Sequence, residues 1–429
     1  MRLRFYAALL LAGCGLPAAA DHFAAQSGQT PVWPHTNWSS AASNIQDAVN
    51  AAANGAVVWV SNGTYRVPTN AVSYTGTNVL YITNAITLRS VTGPAATIID
   101  GGGSNRCVAV NLPAASCAFG PLTVDGFTLT NGYNYIRGAG CIIVASGAGT
   151  GYVRNCVISG NTVRKEVVDI YAGGGGLYAY IAGVVFEPII SNCVFRGNRV
   201  LDGAETAPTG GGIWMRASGK IVDCTIVENE SSSSGGGGLY LRNPSRGIDR
   251  CIVVSNIAAF GGGCASRDGG PLRNSLFAYN TTPGYAGGVH EYEKAQIFNC
   301  TVVSNSSGVQ VRSASVNGAM QNNIIDSIYA EVGAVVTGYN NCLPSIPDYG
   351  EWHDTLVTTN NPAYIGFVDA AAGDFRINGD SPCVNYGTNA PWMADALDLD
   401  KRPRIDRFTR LPDIGCYEYL AGGALFRLR

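Results

Sequence analysis

Apolar and polar residues alternate with period two over short runs along most of this chain, and the runs recur as copies of one unit. Residues 155–161 read NCVISGN, 192–198 NCVFRGN, 223–229 DCTIVEN, 250–256 RCIVVSN, 274–280 NSLFAYN and 299–305 NCTVVSN, with a weaker NNIIDSI at 322–328. Between the cysteine-equivalent positions 156, 193, 224, 251, 275, 300 and 323 the spacing runs 37, 31, 27, 24, 25 and 23. A spacing that shrinks to a floor in the low twenties fits one coil of fixed length with variable loops inserted at a corner, which is a solenoid. Val, Ile, Thr and Gly dominate each unit, so the coils are built from strands rather than helices. The cysteine position and the one two residues later (Ile158, Phe195, Ile226, Val253, Phe277, Val302) share an apolar face. Each short strand then pairs with its copy one coil on, about 4.8 Å away. The pattern predicts an all-β parallel β-helix over residues 55–345.

Two columns follow from the stacking. The last Asn of each unit (Asn161, Asn198, Asn229, Asn256, Asn280, Asn305) suits a turn whose side chain bonds to backbone and to its copy in the next coil; a row of ligand-binding amides is the alternative. The cysteine column (Cys156, Cys193, Cys224, Cys251, Cys300, interrupted by Ser275) reads as buried thiols, because side chains stacked in register point the same way. Its Cα spacing would also admit disulfides. No Cys-x-x-Cys pair or neighbouring His supplies metal-ligand spacing, and no metal or cofactor is expected.

An open coil exposes unpaired strand edges. In SNIQDAVNAAANG, Ser43 and Gln46 form a capping box, Gly55 stops the helix, and Ile45, Ala48, Val49 and Ala52 fall on one face. Within residues 21–54, this helix is expected to cover the first coil, which begins at VVWV (57–60). Residues 346–429 close the other end.

Composition narrows the reading. Charged residues make up 14% and hydrophobic ones 46%, with 55 Gly and a net charge of −2. Such a chain buries a large core and offers no global positive field for nucleic acid. Met1-Arg2-Leu3-Arg4, an apolar stretch and Ala18-Ala19-Ala20 read as a secretory leader over residues 1–20. Leu11-Ala12-Gly13-Cys14 is also lipobox-like, which would place a lipid anchor on Cys14. No later segment is long and apolar enough to be transmembrane. Secretion or display at a bacterial cell surface is therefore expected. The glycine runs at 173–176 and 235–238 lack the Lys-Ser/Thr ending of a phosphate loop and read as tight corners.

SNIQDAVNAAANGAVVWVSNGTYRV, the glycine-rich NCxxxxN coils and the closing NPAYIGFVDAAAGDFRINGDSPCVNYGTN…DLDKRPR…PDIGCYEY together resemble choice-of-anchor Q proteins. They are also similar to polymorphic outer-membrane protein repeats. The resemblance spans nearly all of the chain after the leader and is most specific in DIGCYEY and the GDFR–SPC pair. It implies export and a right-handed parallel β-helix with an N-terminal capping helix, but no single activity. The chain departs from the family at Cys383 and Cys416, where small residues are usual, and that paired replacement suggests a Cys383–Cys416 bridge. Lys401, following Asp398 and Asp400, weakens a metal-loop reading of that corner.

Chemistry is expected beside the glycines. In LYAY (177–180), IWMR (213–216), LYLR (239–242), CASR (264–267), VHEY (289–292) and VQVR (309–312), the first and third positions face the core. The second positions form an outward column of Tyr178, Trp214, Tyr240, Ala265, His290 and Gln310. The fourth form another, of Tyr180, Arg216, Arg242, Arg267, Tyr292 and Arg312. Flat rings pack on sugar rings and Arg forks onto carboxylates or sulfates. The proposed substrate-binding set is Tyr178, Trp214, Tyr240, His290, Arg216, Arg242, Arg267 and Tyr292, holding an extended acidic polysaccharide. The competing reading is a structural or adhesive surface protein whose aromatic stack stabilises the coil. A third is a polysaccharide lyase with His290 as base near Arg267, Asp268 and Lys294. The signatures of galacturonan hydrolases are absent. Strict alternation turns Glu291 inward, so a bulge or a register change is expected there.

Overall fold

The structure, a computed structural model, describes residues 19–67, 76–164, 172–181, 183, 185–201, 209–242, 245–312, 317–357 and 362–419. Cys14 and all of the leader but Ala19 and Ala20 lie outside them. Among the described residues no helix is long and apolar enough to cross a membrane.

Among the described residues, short strands stack into four parallel sheets wound as a β-helix. One coil runs Leu177–Tyr180, Phe186–Ser191, Val194–Arg196, Arg199–Leu201, and then a glycine corner to Ile213–Arg216. Its strands belong in turn to an aromatic sheet, a first, a second and a third sheet. The first sheet runs from His22–Ala24 to Glu351–His353 and the second from Gly63–Tyr65 to Leu356–Val357, so coiling starts before Val57 and continues past residue 345. The third sheet spans only Tyr133–Asn134 to Ile257–Phe260.

Alternation places Ala179, Met215 and Leu241, Ile190, Ile221 and Ile248, and Phe195, Ile226 and Val253 in one lumenal core. The cysteine column lies in that core as free thiols. Each Sγ donates to the carbonyl two residues back, from 3.1 Å (Cys156 to Arg154) to 3.5 Å (Cys300 to Phe298). Ser275 makes the same bond to Arg273 at 2.6 Å, which explains why a hydroxyl can interrupt the column. The asparagine column is a ladder: from Asn161 to Asn305 each Nδ2 donates to the next Oδ1 at 2.9 Å.

The bend before the cysteine position needs a left-handed residue. That residue (Asn155, Asn192, Asp223, Arg250, Asn274, Asn299) has φ near 50°. Asn and Asp tolerate that conformation best; Arg250 holds it while forking onto Asp223 at 2.8 and 3.1 Å. At the glycine corner the constraint is proximity. A Cβ on Gly212 would sit 2.6 Å from the Gly238 carbonyl oxygen and 3.1 Å from Asn229 Cγ.

The capping helix is Ile45–Ala51, with Ile45, Ala48 and Val49 buried. Asn44 rather than Ser43 is its N-cap, accepting from Asp47 N at 2.9 Å. Gln46 is buried and acts as a substitute strand: it accepts from Tyr81 N at 2.7 Å and donates to Tyr81 O at 3.0 Å, satisfying the first strand of the aromatic sheet.

The closing segment packs on the outer face of the second sheet, where Phe375, Ile377, Cys383, Ile414 and Cys416 meet Leu276, Ala278, Val303, Ile324 and Cys342. The bridge suggested for Cys383 and Cys416 is not present, and both are free, buried thiols. Cys416 is held by its N–H on Thr301 Oγ1 at 3.1 Å, whereas Cys383 lies against Cys342, two rungs further along the sheet. The family-specific motifs converge on ion pairs. Arg376 of GDFR forks onto Asp400 at 2.7 and 3.1 Å, and fully buried Arg404 pairs with Glu418 of CYEY at 2.7 Å. Asp398 accepts from Glu418 N at 2.8 Å, so the acidic corner is spent on backbone and Arg contacts.

Candidate functional site

The aromatic sheet brings the predicted columns into register. Tyr178 pairs with Trp214, Trp214 with Tyr240, then Ala265, His290, Gln310 and Tyr329 follow. Tyr178 stacks on Trp214 at 4.5 Å and 16°, and Trp214 lies 5.9 Å from Tyr240. These rings point away from the lumen and form a cluster of their own with Ala109, Ile142 and Ala265.

Their expected exposure is not found. Tyr178 is 0% exposed, and Trp214, Tyr240 and His290 are each 1%. Chain arriving through the glycine corners covers the stack. The Arg137 guanidinium lies 5.4 Å from the Tyr178 ring centre, and Phe260 meets His290 edge-on at 5.4 Å. Thr209 and Trp214 crowd the same point beside Gly173. The inner column is therefore an aromatic core lying outside the coil, and its rings offer no face to a sugar.

The fourth-position column reaches solvent. Tyr180, Arg216, Arg242, Tyr292 and Arg312 are half-buried and Arg267 is exposed. Tyr180 is in register with Arg216, and Arg242 with Arg267. Arg216 lies over the Tyr180 ring at 5.5 Å and Arg312 over Tyr292 at 5.6 Å, while Arg267 pairs with Glu293. Four guanidinium groups thus line one edge of the sheet.

His290 does not have the surroundings of a general base. Neither ring nitrogen has a hydrogen-bond partner, and burial, helped by the charge of Arg312 and opposed by Glu331, pushes its pKa down to about 4. Glu291 shows no bulge: the pairing Cys264–Val289, Ala265–His290, Ser266–Glu291 is unbroken, and the carboxyl is fully buried in the lumen. Burial pushes its pKa well up, only partly offset by the Ser266 hydroxyl beside it. Because the folded His290 pKa lies below the ordinary value near 6.5, its contribution is complete above that pH and is lost as pH falls through 4. We expect His290→Phe to gain on the parent by on the order of 3 kcal/mol between pH 7 and pH 3.5. Urea midpoints across that range check this; parallel pH profiles for the two proteins would refute it.

Where the loops shorten, the column emerges. Tyr329, one strand beyond Gln310, is 60% exposed, and Tyr285 is 62% exposed. With Ser307, Gln310, Arg312 and Glu331 they line a groove of ≈560 Å³. Glu331 Oε1 accepts from Gln310 Nε2 at 2.9 Å and lies 3.4 Å from Arg312 Nε. Sequence reasoning missed this groove, because the strand carrying Tyr329 follows no glycine pair to align it by. Among the described residues no group of three or more His, Cys, Asp or Glu could hold a metal ion.

Residues 190–350 match the family model described as the right handed beta helix region. The chain folds as a right-handed parallel β-helix. The solved structure of pectate lyase Pel9A superposes with a TM-score of 0.53 at 14% identity, covering 94% of this chain and 97% of the lyase. The A-module of the Azotobacter vinelandii mannuronan C-5 epimerase AlgE4 is similar at 15% identity and a TM-score of 0.30, over 73% of this chain and 89% of the module. No curated protein matches the chain in sequence.

Proposed function

We propose that this chain is an exported β-helix protein, of the surface type suggested by the resemblance to choice-of-anchor Q proteins, that binds an extended acidic polysaccharide along the edge of its aromatic sheet. The observation that carries this is the column Tyr180, Arg216, Arg242, Arg267 and Tyr292, set on successive strands and reaching solvent. Rungs about 4.8 Å apart repeat on the scale of a sugar ring. An Arg edge therefore meets a polymer with a charge on each unit as a series of forked contacts. At 14% identity the likeness to pectate lyase Pel9A supports the fold and leaves the site to be argued from these residues.

The triple change of Arg216, Arg242 and Arg267 to Gln should weaken binding to polygalacturonate or a sulfated glycan at least tenfold and flatten its salt dependence. Unchanged affinity on titration calorimetry would overturn the proposal. The structural reading gains from the buried Tyr178–Trp214–Tyr240 stack, which stabilises the coil whether or not the Arg edge binds anything. The lyase reading loses its base, since His290 is enclosed and burial lowers its pKa to about 4, leaving a weak proton acceptor.

A further inference from the structure

The groove at the last strands of the aromatic sheet differs in chemistry from the Arg edge that leads to it. Its only cation among the described lining residues, Arg312, lies beside the carboxylate of Glu331. An anionic group entering would have to compete with Glu331, so the groove is not built for a uronate carboxylate or a sulfate. Gly284, Ala286 and Val309 give it apolar surface, Tyr285 and Tyr329 give it two broadly exposed rings, and Ser307 and Ser327 supply hydroxyls. Gln310 is 6% exposed, its Nε2 is committed to Glu331, and its Oε1 has no hydrogen-bond partner. A buried acceptor left without a donor is unfavourable, and a ligand hydroxyl that reaches it relieves that cost.

We infer that this groove is a subsite for one uncharged sugar ring. An uncharged pyranose has C–H faces that pack on Tyr285 or Tyr329 and a rim of hydroxyls that both donate and accept. That matches aromatic walls, serine hydroxyls and an unpaired amide oxygen. A lipid chain would leave Gln310 unsatisfied. The inference rests on the preceding proposal only for direction: a polymer along the Arg edge would present a neutral unit or chain end at this groove.

The experiment uses the mature chain, with cellotetraose and mannotetraose as neutral probes and tetragalacturonate as the acidic one, read by calorimetry and by NMR shifts. At least one neutral probe should bind. Tyr329→Ala, Tyr285→Ala and Gln310→Leu should each weaken it about tenfold, while the triple Arg variant leaves it within twofold. Both tyrosines are exposed, so their truncation should leave the unfolding midpoint unchanged, and loss of binding then reports the groove. Failure of both neutral probes to bind, or binding that survives both tyrosine changes, overturns the subsite. Loss of tetragalacturonate binding in the triple Arg variant with neutral binding intact supports it. Loss of both together would show one acidic site and overturn it. Should the Arg edge bind nothing while the groove still takes a neutral sugar, the earlier proposal fails and this one stands.

Discussion

Replacing Asn229 by Leu should cost on the order of 4–6 kcal/mol, enough to bring the coil close to unfolding at room temperature. The side chain is fully buried. Its Oδ1 accepts from Asn198 N at 3.0 Å and from Asn198 Nδ2 at 2.9 Å, and its Nδ2 donates to Phe195 O at 3.0 Å and Asn256 Oδ1 at 2.9 Å. Leucine has the branching and heavy-atom count of asparagine, so no cavity opens, and the loss comes chiefly from polar groups stranded out of water at about 1–3 kcal/mol each. Position matters as well. In a solenoid each coil is held by its two neighbours, so a break in the middle of the ladder uncouples the halves. Asn305, which ends the column and is partly exposed, should cost less than half as much when changed in the same way. Urea unfolding of both variants checks this. A loss under about 1 kcal/mol for Asn229→Leu, accompanied by loss of glycan binding, would instead restore the reading of these amides as ligand contacts.

The lumen of this protein was legible from sequence because one rule, alternation at period two, decides which side chains face inward. It placed Met215 and Leu241 inside and Trp214 and Tyr240 outside, and the register followed from the repeat spacing. The same rule is silent on whether an outward face is then covered. Burial of Trp214 depends on the chain entering the glycine corners, including Thr209 just before its own strand and the approach to Gly173 one coil back, and period-two alternation does not encode that. The exposed end of the column was missed for the converse reason: Tyr329 sits where the repeat loses its glycines, in a coil of minimal length. The left-handed bends were not read from the sequence: the residue before each cysteine, Asn or Asp except at Arg250, reads as polar filler until its φ is known. In the closing segment the family motifs were recognisable as words. Their sense, a buried Arg404–Glu418 pair and an Arg376–Asp400 fork fastening chain onto the second sheet, needed the fold.

Trp214→Ala separates stability from recognition on the face where the two were hardest to tell apart. The indole is 1% exposed, stacked on Tyr178 at 4.5 Å and close to Tyr240 at 5.9 Å. Truncation of so large a buried side chain costs about 3–5 kcal/mol through lost transfer energy and the cavity left between rigid neighbours. Some further loss of ring–ring attraction is expected, at about 0.5–1.5 kcal/mol per pair. Trp214→Phe, which keeps a ring in the stack, should recover at least half of it. The Arg edge is set by backbone register and not by the indole, so whatever fraction remains folded should hold acidic glycan within about threefold of the parent. The Arg triple variant should do the reverse, keeping its unfolding midpoint while losing affinity. Thermal and urea midpoints measured beside calorimetric affinity test the pair of expectations. A Trp214→Ala protein that unfolds like the parent yet no longer binds glycan would mean that the ring is reached by ligand after all, and the assignment of the inner column to the core would fall.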